Sequence, residues 1–132
     1  MANTYLTKAA NANANQRLFT YSLWVKASST TGGNLITFRE SSTRYLRTFF
    51  ENGKLCLKQA YDGSTEADTK TTALYRDPSA WMHIVIAVDT AQGTSTNRVK
   101  MYVNGEQITS FSSADFGACL LYTSDAADEL CR

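Results

Sequence analysis

The segment from Trp81 to Gly105 constrains the fold of this chain more than any other. It runs Trp-Met-His-Ile-Val-Ile-Ala-Val-Asp, then a polar stretch, then Arg-Val-Lys-Met-Tyr-Val-Asn-Gly. Ile84, Ile86 and Val88 alternate with His83, Val85 and Ala87, and Val99, Met101 and Val103 alternate with Lys100 and Tyr102. A two-residue period is that of a strand with one buried face. Asn104-Gly105 supplies the positive backbone angles of a type I′ turn, so the chain is expected to reverse into a further strand over Glu106 to Phe111.

The same reading extends upstream. Phe19, Tyr21, Leu23 and Val25 share one face of a strand over Leu18 to Lys26, and Thr20, Ser22, Trp24 and Lys26 share the other. Leu35 to Arg39 is extended with Ile36 and Phe38 inward. A second hairpin runs Tyr45 to Glu51, Asn52-Gly53, Lys54 to Tyr61, with Leu46 and Phe50 facing Leu55 and Leu57 across the turn. Asp62 to Thr71 reads as a long polar connection opening on an Asp-Gly turn, and Thr72 to Tyr75 as a strand. At Arg76-Asp77-Pro78-Ser79 the proline ends pairing, and Asp or Ser caps a turn. Residues 1 to 17 read as a short edge strand at Tyr5-Leu6 and a loop. Short strands at regular spacing, with almost no helical periodicity, predict an all-β fold: an antiparallel β-sandwich of jelly-roll type.

At 132 residues there is room for one domain. Thirteen Lys and Arg balance twelve Asp and Glu, leaving a net charge of +1, which gives no reason to expect nucleic acid or a membrane surface as partner. No apolar run is long enough to span a bilayer as a helix, and no basic region followed by an apolar stretch marks a secretory signal.

The middle of the chain resembles the laminin G-like, concanavalin A-like lectin/glucanase jelly roll, in the form found in phage and marine-virus structural proteins. The residues that carry the resemblance are Phe19-Thr-Tyr-Ser-Leu-Trp-Val-Lys26, Tyr75-Arg-Asp-Pro-Ser-Ala-Trp81, His83-Ile-Val, Asp89, and Asn97-Arg-Val-Lys-Met-Tyr-Val-Asn-Gly105. It implies a virion or extracellular location, with a host-surface glycan or neighbouring virion proteins as partners. The residues Cys119 to Glu129 break from this pattern. Back-translated, they resemble the adapter attached to fragment ends in transposase-based library preparation. On that reading 1–117 is a jelly roll incomplete at its C-terminus, 118–132 is a non-native tail, and Cys56 is the one native cysteine. The alternative is a genuine C-terminal segment with a short helix over Asp125 to Leu130.

Glucanases of this fold carry Glu-x-Asp-x-x-Glu, two carboxylates around a glycosidic bond. The nearest match is Glu66-Ala-Asp68-Thr-Lys-Thr71, where Thr71 stands in place of the second acid. Losing general acid/base assistance costs roughly 10²- to 10⁴-fold in rate. Glu66 and Asp68 are therefore read as solvated loop charges and the chain as no enzyme. His83 is the sole histidine and lacks the partners a zinc site or triad needs.

Sugar binding calls for an aromatic ring to stack on and planar polar groups for the hydroxyls. Tyr61, Asp62, Tyr75 and Arg76 have that chemistry. No cofactor is expected, unless calcium is held by the loop oxygens of Asp89 and Asn97. Trp24 and Trp81 are expected to pack in the core. The reading that follows is a non-catalytic carbohydrate-binding or adhesion module of a viral tail or capsid-associated protein. The alternative is a purely structural virion module, with a glycoside hydrolase relative ranked last.

Overall fold

The computed structural model describes residues 18–27, 32–39 and 41–116. The expected edge strand and loop of residues 1–17 lie outside the described residues, and so does the tail 118–132.

Among the described residues, nine strands form two antiparallel sheets. β1 (Leu18–Val25), β6 (Met82–Asp89), β7 (Val99–Val103) and β8 (Glu106–Gln107) make a four-stranded sheet in the order β1-β6-β7-β8. β2 (Gly32–Arg39), β3 (Tyr45–Glu51), β4 (Lys54–Tyr61), β5 (Ser64–Thr71) and β9 (Phe111–Asp115) make a five-stranded sheet in that order. The chain passes between the sheets after β1, after β5 and after β8, which makes the architecture the expected sandwich.

Turn chemistry sets the registers. Asn52-Gly53, Asp62-Gly63 and Asn104-Gly105 all hold positive φ, between 47° and 85°. This is the type I′ geometry whose twist matches the flanking strands. The Asn52-Gly53 turn pairs Phe50 with Leu55, and Leu46, Thr48 and Phe50 then share the inner face with Leu55, Leu57 and Gln59.

The core lies between the layers. Ile84, Ile86 and Met101 of one sheet and Phe50, Leu55 and Leu57 of the other are almost entirely buried, with Phe19, Tyr21, Leu23 and Val25 packed against them. Each large apolar side chain so buried contributes roughly 1.5–3 kcal/mol. On β2, Leu35 and Phe38 pack on this cluster, because a bulge between Asn34 and Ile36 shifts the alternation.

Four expectations are corrected. The stretch 64–71 is a strand, not a loop. Its inward residues are Ala67, Thr69 and Thr71, all buried, and their hydroxyls are satisfied locally. Thr69 Oγ1 donates to Asp115 O at 2.9 Å, while Thr71 Oγ1 accepts from Leu55 N–H at 3.1 Å and donates to Ala73 O at 3.0 Å. Satisfied threonines let a polar strand be buried. Thr72 to Tyr75 is irregular, with Leu74 exposed. The strand after Asn104-Gly105 stops at Gln107, and the chain then crosses to pair Phe111 with Thr71. Trp24 and Trp81 are 66% and 60% exposed, not in the core.

Candidate functional site

The six residues singled out from sequence separate to the two ends of the sandwich. Tyr75 donates its backbone N–H to Gly53 O at 2.7 Å and packs its ring near Phe50, and Arg76 lies over Gly53. Both therefore sit at the β3–β4 turn. Tyr61 and Asp62 sit at the opposite end of β4, about 25 Å away at a strand rise of roughly 3.3 Å per residue. The Arg44 guanidinium lies over the Tyr61 ring at 4.4 Å and donates two hydrogen bonds to the Asp62 carboxylate, at 2.8 and 3.0 Å. This pairing holds the Asp62 carboxyl below its usual range and occupies a ring face that a sugar would need.

Asp89 and Asn97 do come together. They line a cavity of about 250 Å³ with Ala87, Gln92 and Lys100. Asp89 spends one carboxylate oxygen on Ala91 N–H at 3.1 Å and the other on the Gln92 side-chain amide at 2.7 Å. Lys100 presents like charge to any cation in the same space. Among the described residues no cluster of three or more His, Cys, Asp or Glu could hold a metal ion.

The end of the sandwich that holds Tyr75 has the more developed chemistry. A cleft of about 400 Å³ is lined by Tyr75, Val103, Asn104, Glu106, Gln107 and Ile108, a volume in the range of small-ligand pockets. Burial, followed by the charge of Glu106, raises the pKa of the Tyr75 hydroxyl, so it stays a neutral donor and acceptor. Asn104 forms one wall and is held by two hydrogen bonds to β6. Its backbone N–H donates to His83 O at 2.8 Å, and its side-chain oxygen accepts from His83 N–H at 2.9 Å.

His83 connects this wall to the exposed aromatic residues. It pairs with Trp24 across β1 and β6, and the two rings stack at 4.7 Å between centroids. Met82 turns into the core, so Trp81 and His83 on either side of it turn outward. A solvent-open indole, stacked on an imidazole, thus lies on the outer face of the sheet, and the backbone of that same His83 holds the Asn104 wall of a cleft rimmed by a phenol, two amides and a carboxylate. The alternation had already placed Trp24 with Thr20, Ser22 and Lys26 on the outward face; that signal identifies it, and residue type alone misleads.

Of the glucanase-like match, Asp68 faces outward on β5, opposite Lys58 and Asp115. Thr71 is wholly buried among backbone partners. Glu66 is the extra residue of a bulge between the Gln59–Ala67 and Ala60–Thr65 pairs.

Two antiparallel sheets with an aromatic and amide-lined end define a jelly roll of the lectin type. The laminin G-type profile of the Concanavalin A-like lectin/glucanases superfamily matches residues 2–126, and the chain belongs to this superfamily. No curated protein and no solved structure matches the chain. No helix among the described residues is long and apolar enough to cross a membrane.

Proposed function

We propose that the chain is a non-catalytic carbohydrate-binding or adhesion module that takes a sugar at the Tyr75 cleft with Trp24 as its stacking platform. The observation that carries this is the path Tyr75, Asn104, His83, Trp24. The Asn104 wall of the polar cleft is hydrogen-bonded to the His83 backbone, and the His83 ring stacks flat on the exposed Trp24 indole. The Glu106 and Gln107 side chains, with no hydrogen bond inside the described residues, are free to meet hydroxyls. Catalysis is not part of the reading, since Thr71 stands where the fold's glucanases place an acid and its hydroxyl is engaged in the core. No metal is needed.

The resemblance to phage and marine-virus proteins supports placing the module in a tail or capsid-associated protein, on a virion or outside the cell. Host-surface glycan is then the partner. The second reading, a structural module seated on neighbouring virion proteins, would use the same exposed tryptophans as packing contacts.

A glycan array followed by titration of the hits tests the proposal. Trp24→Ala and Glu106→Gln should each weaken a bound glycan by about tenfold, or 1.4 kcal/mol. A bare array would end the sugar reading and favour the structural one. Binding indifferent to both substitutions would move the site elsewhere.

A further inference from the structure

We infer that the outer face of the five-stranded sheet holds a second ligand site, in which Arg47 and Lys58 together take one anionic group of the sulfate or carboxylate type. The two cations are cross-strand partners on β3 and β4. Like charges set directly opposite each other destabilise a sheet; Asp68 flanks Lys58 from β5 in the same row, while the neighbour of Arg47 on its other side is the neutral Thr37. Neither residue forms an ion pair or hydrogen bond among the described residues, and Arg47 Nε is buried without an acceptor. A guanidinium is permanently charged and carries five donors, so leaving them unfilled is costly unless something else fills them.

The surroundings hold the guanidinium ready for such a group. It lies over the Phe49 ring at 4.4 Å and near the Tyr45 ring at 5.6 Å, which fixes its plane before any ligand arrives. Rigid forks of this kind suit planar or tetrahedral oxyanions. Beneath lies a compact floor in which Phe49, Cys56 and Ala60 are buried.

The acids of this face lie at the turn end of β3 and from β5 outward. Glu51 accepts from Lys70 Nζ at 2.7 Å, and Asp68 Oδ2 lies 3.9 Å from the same ammonium. Asp115 is a further strand away, on β9. The face thus grades from cations over β3 and β4 to acids from β5 outward, with Asp68 next to Lys58 and its Oδ1 buried without a partner. Glu51 shows the field at work. Its carboxyl is held below its usual range, first by the hydrogen bond from Lys70 and then by the charges of Lys70, Arg47 and Lys58. Thr37, opposite Arg47 on β2, adds a hydroxyl to the same row.

This site lies on a different sheet from Trp24 and can be read without any glycan. The probe is inorganic sulfate, titrated at low ionic strength into the intact chain while side-chain and backbone NMR shifts are followed. Saturable shifts centred on Arg47, Lys58 and Thr37 are expected. Arg47→Gln and Lys58→Gln should each weaken binding at least tenfold, with backbone spectra confirming that both variants are folded. Arg44→Gln, at the Asp62 end, and Trp24→Ala should leave it unchanged. A sulfated and a uronic-acid oligosaccharide of equal length, against a neutral one, then identify the source of the anionic group. The neutral sugar should show no dependence on Arg47. Sulfate shifts spread evenly over surface lysines, or equal losses in Arg47→Gln and Arg44→Gln, would overturn the site. Failure at Trp24 with intact sulfate binding would sink only the cleft.

Discussion

Tyr21 makes the stability of this protein depend on alkaline pH in a way that can be worked out in advance. It lies on the inner face of β1, between Phe19 and Phe38, with its hydroxyl hydrogen-bonded to the buried Thr48. Burial pushes its pKa up to about 12, against a smaller opposing effect of the Thr48 hydrogen bond. The folded protein therefore keeps this proton to higher pH than the unfolded chain, whose tyrosines ionise near 10. Its contribution is complete below pH 10 and is lost as pH rises from 10 towards 12. Two pKa units correspond to roughly 2–3 kcal/mol, of which about half is gone at pH 11. Tyr21→Phe removes this dependence but orphans the Thr48 hydroxyl, at a cost of about 1 kcal/mol. The variant should be the less stable at pH 8 and the more stable at pH 12, with the curves crossing near pH 11. Urea unfolding at half-unit intervals, with phenolate absorbance at 295 nm to follow ionisation, measures both. Parallel stability curves for the two proteins would refute the reasoning.

Two further outcomes follow from the core and the surface. Thr71→Val keeps the shape but strands Leu55 N–H and Ala73 O, so a loss of about 2 kcal/mol is expected in urea melts. A change below 0.5 kcal/mol would mean that these groups find other partners. Both tryptophans lie open to solvent, so iodide should quench all the tryptophan emission in a single linear Stern–Volmer plot. A protected fraction would place one indole under cover.

Much of the fold was legible because backbone and side-chain signals agreed. In β1, β6 and β7 the inward residues are bulky and branched while the outward ones are mostly polar or small. At Asn52-Gly53 and Asn104-Gly105 the turn residues leave one register open. Legibility failed where those signals part. β5 buries threonines in place of aliphatic side chains, and a strand that meets its burial through hydroxyl partners shows no greasy alternation. The chain after Gln107 leaves one sheet for the other, a choice made by Thr71 and Lys70 some forty residues earlier in the chain. In the candidate site, Tyr75 was found from its chemistry. Asn104, Glu106 and Gln107 were hidden because a turn looks structural until its neighbours are known. Trp24 was missed because size was weighed above parity.

The threading of the chain between its layers also has a kinetic meaning. β3, β4 and β5 are joined by turns of two residues and can zip as a meander soon after collapse. Val25, in contrast, must search for Met82 across the whole of the other sheet, and closing so long a loop precedes any reward. Pulse-labelled amide exchange should therefore protect Leu55 and Leu57 before Leu23 and Val25, and the reverse order would contradict this sequence of events. The layer that carries Arg47 is then assembled first, and the indole platform is the last part of the molecule to take shape.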